Sequence, residues 1–307
     1  MTSSEPTDGA HPRRPSDEEP RRFEVAGHGV TQVAYEWAGS GPPLVFAHAT
    51  GFHARLWDEV IRELPGHRAI ALDLRGHGRA EKPSIDDGGE AYSWAHFGED
   101  VAVAVRALDL RGVIGVGHSM GGHSVTMAAS LEPGRFAALA LVDAVIAREI
   151  RAPDGEQGGP SFVAKRRDRW SSPDEMFDRF SRREPHSRWH PQVLRDYCEY
   201  GLLPDRDGDS FQLACPPRIE AMIYAMGSHD LHDAIRGLEI PARVLRARPR
   251  DPENPAAAFD GSPTDPTVAS WFAQGEDVFL PEYSHFLPME APALVARHLA
   301  ELATLVR

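Results

Sequence analysis

The sequence predicts an α/β fold built on a parallel sheet covered by helices on both faces. Three observations point there. Short, almost wholly apolar runs such as 112–117 and 136–142 suit strands buried on both sides. Stretches with helical apolar spacing lie between them. The two kinds of segment alternate along the chain, which is the rhythm of β-α-β units.

Residues 1–22 are Ser, Pro, Glu, Asp and Arg with almost nothing apolar, so a disordered tail is expected: the segment cannot bury enough surface to offset its ordering entropy. Residues 30–37 and 43–48 read as strands, and 53–64 has helical spacing through Trp57, Val60, Ile61 and Leu64. A β-rich run at 68–74 leads into a Gly-rich turn. Residues 92–108 form an amphipathic helix with Val101, Val105 and Leu108 on one stripe. A strand at 112–117, a small-residue helix at 120–131 and a strand at 136–142 follow. The rhythm stops at Asp143. Residues 144–240 are helical, aromatic and charged, without convincing strands. The pattern resumes with a strand at 242–247, a helix at 268–274, a strand at 277–280 and a last helix at 292–306. The expected organisation is a core of 23–143 and 241–307, interrupted by 144–240 as a helical cap. An insertion there lies at the carboxyl ends of the strands, where ligands of α/β sheets bind.

Composition excludes several function classes. The 307 residues carry 33 Lys and Arg against 46 Asp and Glu, a net charge of −13. Phosphate contacts need clustered cations, so no nucleic-acid partner is expected. The one basic run, Lys165-Arg166-Arg167-Asp168-Arg169, is broken by an acid and reads as a solvated helix face. Cys198 and Cys215 are too few for a disulfide framework and lack metal-ligand spacing. Reduced thiols, no apolar leader in the first twenty residues and no run approaching ~20 apolar residues point to a cytoplasmic protein without a membrane partner.

The chemistry-bearing motif is Gly117-His118-Ser119-Met120-Gly121, a G-x-S-x-G running from a strand into a helix. Such a turn forces its central residue into a strained backbone, so the neighbours two positions away must be small. Gly117 and Gly121 meet that need, and Ser119 is lifted to a helix N-terminus.

Three further segments accompany the elbow. They are Leu44-Val45-Phe46-Ala47-His48-Ala49-Thr50-Gly51-Phe52, Asp73-Leu74-Arg75-Gly76-His77-Gly78, and Ser284-His285-Phe286 with Met289-Glu290-Ala291-Pro292. In this order and spacing, from Phe23 to Arg307, the chain resembles the α/β-hydrolase superfamily of serine hydrolases with a helical cap. The segments correspond to that family's oxyanion loop, D-x-R-G-x-G turn and catalytic-histidine segment; Ala49 stands where the family often has Gly. The resemblance implies a mostly parallel eight-stranded sheet with helices on both faces and a cap inserted after strand six.

It also implies the roles. Ser119 would be the nucleophile and needs a base to take its proton. Of fifteen histidines, His285 fits the order Ser, acid, His. His118 and His123 flank the elbow, His77 belongs to the Gly-rich turn, His11 lies in the tail and His48 ties the oxyanion loop down. His229 and His232 form H-x-x-H without a nearby third ligand and read as helix surface. The oxyanion N–H groups would come from Thr50 and Met120. Two carboxylates compete as triad acid: Asp143, ending an apolar strand where an unpaired charge is costly, and Asp251, after the next strand but close to arginines. Asp143 is placed ahead; Asp73 reads as structural. Among the many aromatics, Phe52, Trp57, Trp170 and Trp189 are the candidate pocket walls.

The expected function is hydrolysis of a carboxylic ester or lactone of a small to medium, largely apolar substrate through an acyl-Ser119 intermediate. A carbon–carbon hydrolase of a diketone and a receptor-like binder with slow turnover are the alternatives, and perhydrolysis stays open. Haloalkane dehalogenases and epoxide hydrolases place Asp at the elbow, unlike this chain. No cofactor is implied, since there is no phosphate-cradling loop and no metal cluster. The expected partner is the small-molecule substrate, with a homodimer left open.

Overall fold

The computed structural model describes residues 19–86, 88–147, 162–251 and 260–306. Six strands come first: Arg21–Ala26 (β1), Thr31–Trp37 (β2), Ser40–Ala47 (β3), His67–Asp73 (β4), Val113–His118 (β5) and Phe136–Val142 (β6). The segment after β6 contributes three short strands, Arg169–Trp170 (β7), Leu202–Pro204 (β8) and Phe211–Leu213 (β9). Pro241–Ala247 (β10) and Gln274–Leu280 (β11) complete the set. Eight of these form one sheet in the order β1-β2-β4-β3-β5-β6-β10-β11, parallel from β4 onward and antiparallel at β1 and β2.

Why this sheet is covered twice is visible along β3 and β6. Val45, Ala47, Leu139 and Leu141 point to one core, while Leu44, Phe46, Ala138 and Ala140 point to the other, with both sets buried. That is the period-two alternation of a strand with apolar residues on both faces. Asp58–Arg62 (α1) lies on the second face. Trp94–Ala107 (α2) and Met120–Leu131 (α3) cover the first, bringing Phe97, Val101, Val105 and Val125. Between β6 and β10 stand Pro173–Phe180 (α4), Pro191–Tyr200 (α5), Pro217–Met226 (α6) and His232–Arg236 (α7). Leu287–Glu290 (α8) and Pro292–Thr304 (α9) close the chain, and Val295, Leu299 and Leu302 pack with Val60 and Ile61 of α1.

The structure differs from the sequence reading in several places. The expected tail of 1–22 runs too far: residues 1–18 lie outside the described residues, but Arg21 and Arg22 already pair with Glu36 and Tyr35 as β1. This strand has only Val25 buried, so its apolar signal is weak. The stretch between β6 and β10 holds an antiparallel sheet, β7-β9-β8, whose strands are too short to show alternation. Part of that stretch, 148–161, lies outside the described residues. The expected helix at 53–64 is a 3-10 turn, Ala54–Trp57, followed by α1. The one at 268–274 is only the 3-10 turn Val268–Trp271, because the chain must already extend into β11 at Gln274. Among the described residues no helix is long and apolar enough to cross a membrane.

The junction of β5 and α3 leaves no space. A Cβ on Gly121 would lie 2.1 Å from the Ala47 carbonyl oxygen, a backbone atom that cannot swing away. Gly121→Ala is therefore expected to lower unfolding free energy by about 1–3 kcal/mol, the usual cost of overpacking. Urea denaturation checks this, and an unchanged midpoint would contradict it.

Candidate active site

Ser119 sits between β5 and α3 with φ 55° and ψ −119°, a conformation rare for a residue with a side chain. The strain is held by neighbours. Ser119 N–H donates to Val142 O at 3.2 Å, and Ser119 O accepts from the N–H groups of Gly122 and Val145 at 3.0 and 3.1 Å. The two small residues of the motif keep the turn tight: a Cβ on Gly117 would meet the Gly121 carbonyl at 2.3 Å.

Ser119, His285 and Asp143 are brought together. His285 Nδ1 lies 2.6 Å from Asp143 Oδ2, and His285 Nε2 lies 3.1 Å from Ser119 Oγ. A carboxylate at Nδ1 fixes the proton there, leaving Nε2 to accept from the serine hydroxyl. Asp143 ends β6 with φ 47° and is fully buried. Its other oxygen, Oδ1, accepts from Ala247 N–H at 2.9 Å and from Ser262 Oγ at 2.6 Å. These donors satisfy the buried carboxylate oxygen. Asp251 is exposed on the loop after β10, while the Nδ1 position is taken by Asp143. Ser262 lies on the same loop, and nothing in the local sequence marks it; only the fold brings it to Asp143.

Neutral histidines hold the loops around this triad. His118 Nε2 donates to His285 O at 2.8 Å, and His285 N–H donates to Asp260 O at 2.9 Å. Ser284 is tied to Glu290 through N–H and Oγ at 3.0 and 2.6 Å. On the opposite side, His77 Nδ1 donates to Arg75 O, and its Nε2 accepts from Gly51 N–H at 3.0 Å. His48 Nδ1 donates to Ala49 O, and its Nε2 accepts from Leu74 N–H at 3.1 Å. Burial pushes the pKa values of His48, His77 and His118 down, so these imidazoles are neutral. Asp73, for its part, accepts from Ala54 and Arg79 N–H at 2.8 and 2.9 Å, which is a turn-holding position.

Thr50 and Met120 meet side by side, with Thr50 Oγ1 3.3 Å from Met120 Sδ. Met120 heads α3, where the first N–H groups have no intrahelical partner. Their backbone N–H groups take part in no backbone hydrogen bond among the described residues.

A cavity of about 590 Å³ opens over Ser119 and His285. Phe52 lines it, as expected. Trp57, Trp170 and Trp189 do not, and each is a correction. Trp57 packs under the sheet against Phe46, their ring centroids 5.2 Å apart. Trp170 and Trp189 are buried in the core of the β6–β10 segment, where Trp189 lies edge-on behind Phe52 at 5.8 Å. Periodicity cannot tell a buried tryptophan that glues helices from one that faces a cavity. Phe162, Phe180 and Phe286 form the apolar wall instead.

The cavity also has a polar wall that the sequence reading missed. Arg166, assigned there to a solvated helix face, lines it. Arg166 Nη1 donates to Glu220, which is almost fully buried, and Nη2 donates to Tyr197 Oη at 2.9 Å. Burial works against the guanidinium's charge, but Tyr197 and Glu220 outweigh it and its pKa is raised. Burial also pushes the Glu220 carboxyl up, opposed by Arg166. The only sequence signal was the cationic run itself, in a stretch with few apolar residues.

Residues 44–298 match the model of the alpha/beta hydrolase family, and the chain belongs to that family. It is 39% identical over 138 residues to a non-heme chloroperoxidase of Streptomyces lividans, covering 43% of this chain and 48% of that one. A haloalkane dehalogenase of Agrobacterium fabrum is 33% identical over 147 residues, covering 48% and 45%. An esterase of Mycobacterium tuberculosis is 37% identical over 110 residues, covering 36% and 35%. The match thus spans about half the length of the first of these relatives or less. Among solved structures, E-2-(acetamidomethylene)succinate hydrolase superposes with TM-score 0.69 at 19% identity, over 93% of this chain and 99% of its own. The thioesterase domain of the curacin biosynthetic pathway does so with TM-score 0.69 at 18% identity, over 92% and 100%. At such identity these two likenesses speak for the fold alone.

The buried histidines set a pH dependence. His123 is a buried residue of α3, its pKa held by burial at about 3, against 6.5 for the exposed group. The unfolded chain therefore takes up a proton below pH 6.5 that the folded chain refuses, and stability falls as pH drops from 6.5 toward 3. Asp58, raised by burial to about 7, acts in the opposite direction, so a variant isolates the effect. Between pH 6 and 5 the slope of unfolding free energy against pH should be smaller in His123→Gln than in wild type by about 1.4 kcal/mol per pH unit. Equal slopes in parallel urea titrations would contradict it.

Proposed function

We propose that this protein is a serine hydrolase that cleaves a carboxylic ester or lactone through an acyl-Ser119 intermediate. The observation that carries the reading is the relay of Ser119 Oγ, His285 Nε2, His285 Nδ1 and Asp143 Oδ2 at 3.1 and 2.6 Å, opening on the cavity of about 590 Å³. His285 takes the hydroxyl proton as Ser119 Oγ attacks the carbonyl, and Asp143 stabilises the imidazolium that forms. The negative charge on the carbonyl oxygen falls to the N–H groups of Thr50 and Met120. The leaving alcohol takes the proton from His285. Water, deprotonated by the same imidazole, then releases the acid and restores Ser119.

The cavity favours a substrate of small to medium size with an apolar body against Phe52, Phe180 and Phe286 and a hydrogen-bond acceptor against Arg166. In this reading the segment between β6 and β10 is the cap, since it supplies Arg166, Phe180 and Glu220 to the cavity. One specific observation favours a second activity at the same site. A relative named non-heme chloroperoxidase is 39% identical to this chain over 138 residues. In such a reaction hydrogen peroxide replaces water at the acyl-serine stage, its oxygen takes the acyl group, and a peracid leaves with Ser119 regenerated.

On a panel of aryl and alkyl esters, Ser119→Ala should lower kcat by on the order of 10⁴-fold or more, and Asp143→Asn by on the order of 10³ to 10⁴ with the fold retained. Asp251→Asn should leave the rate unchanged. Labelling of Ser119 by an organophosphonate, read by mass spectrometry, should disappear with the serine. Equal rates for wild type and Ser119→Ala would overturn the reading.

The second activity has its own outcome. Acetate ester with hydrogen peroxide should give peracid in wild type and none in Ser119→Ala. Hydrolysis without peracid would leave the ester hydrolase alone.

A further inference from the structure

Away from the cavity, the turn between β1 and β2 meets the first turns of α2. His28 lies in this turn, which Gly27 N–H closes by donating to Val30 O at 2.9 Å. The backbone of His28 is anchored from both sides: its N–H donates to Asp100 Oδ1 at 2.7 Å, and its carbonyl accepts from Arg75 Nη2 at 2.8 Å. Arg75 and Asp100 are themselves a buried pair at 2.6 Å. The imidazole is thus presented from a fixed backbone. His96 and Glu99 stand three residues apart on α2, a spacing that places both on one helix face.

The three side chains converge without bonding one another. Glu99 Oε2 lies 3.6 Å from His28 Nε2 and 3.9 Å from His96 Nε2, and the three candidate ligand atoms all fall within 4.8 Å of one another. Both distances exceed a hydrogen bond. Glu99 Oε2 is shielded from solvent and has no hydrogen-bond partner among the described residues, and His96 Nδ1 is in the same position. A shielded carboxylate oxygen without a donor is costly, and its occurrence asks for an explanation. The two imidazole rings stack with centroids 5.5 Å apart and an interplanar angle of 16°, and each approaches Glu99 Oε2 through its Nε2.

We propose that His28 Nε2, His96 Nε2 and Glu99 Oε2 form a binding site for a divalent transition cation of the zinc class. Ligands about 2.0–2.2 Å from a tetrahedral zinc ion lie roughly 3.4 Å from each other, so the observed spacings need only small side-chain rotations. Two imidazoles and one carboxylate suit zinc, nickel or copper and not magnesium or calcium, which take oxygen ligands in greater number. Three protein ligands leave a fourth position for water. The bound ion would pin the β1–β2 turn to α2. Cys198 and Cys215 are buried and offer no competing thiolate at the surface. The set was hidden in the sequence because His28 is far from His96 and Glu99, whereas the conspicuous H-x-x-H of His229 and His232 acquires no third ligand among the described residues.

The test is calorimetric titration of zinc chloride into the full-length, EDTA-treated protein, with a thermal-shift series alongside. The expected result is one equivalent bound with Kd of about 10 μM or tighter and a rise in Tm that magnesium does not reproduce. His28→Ala, His96→Ala and the near-isosteric Glu99→Gln should each weaken binding about 10-fold or more, with far-UV circular dichroism unchanged. Absence of one-equivalent zinc binding in wild type would overturn the proposal. So would variants that bind as wild type does, since the ion would then sit elsewhere.

Discussion

The backbone of Ser119 can hold its strained conformation only because three chain segments touch where no Cβ intervenes. Gly117 lies against the Gly121 carbonyl, and Gly121 lies against Ala47 at the end of β3. The contact that permits the strain therefore also sets the distance between the elbow and the loop that follows β3. That loop carries Thr50, and the elbow carries Met120 beside it. Strain of this kind costs of order 1–3 kcal/mol and persists only where the surroundings over-determine it. Here they do, since the carbonyl of Ser119 is held by the N–H groups of Gly122, His123 and Val145 and its N–H by β6.

A second constraint is how the site satisfies backbone groups beyond the ends of the strands. The loops after β3, β4 and β11 have no sheet ladder to bond with, and buried N–H and carbonyl groups must be paired. Neutral imidazoles do this. His77 accepts from Gly51, His48 accepts from Leu74, and His118 donates to the carbonyl of His285. A charged side chain in these places would carry a desolvation penalty and perturb the relay. An imidazole held neutral by burial offers one donor and one acceptor without adding a charge. Asp143 is then the charge closest to His285, and its two donors, Ala247 and Ser262, come from the loop side of β10.

How much of this could be read in advance follows from the range of each interaction. The strands β5 and β6, helix α3 and the elbow are local patterns, and their boundaries are legible within a residue or two. His285 was legible from its order in the chain. The choice between Asp143 and Asp251 was not, because it depends on which strand end faces His285 across the sheet. Ser262, Arg166 and Glu220 were illegible for the same reason. The tryptophans show the converse limit. Trp57, Trp170 and Trp189 have the size and character of pocket residues, yet their neighbours bury them in two different cores. Strand β1 escaped notice because an edge strand with one buried residue carries little hydrophobic signal.

The pairing of Arg166 with Glu220 bears on what the cavity can accept. A lone guanidinium in an apolar wall would favour an anion strongly, and it would also be expensive to keep there without a counter-charge. Glu220 supplies that counter-charge and Tyr197 takes a further N–H, so the wall presents a fixed dipole with donors to spare out of the five of a guanidinium. An anionic substrate group approaching Arg166 would meet the Glu220 carboxylate as well, and the attraction would be largely cancelled. A neutral acceptor, such as a second carbonyl or an ether oxygen, gains the hydrogen bond without that repulsion. Under the proposed ester or lactone hydrolysis, the polar wall would orient a neutral substrate, and the apolar wall of Phe52, Phe180 and Phe286 would supply most of the binding free energy by excluding water.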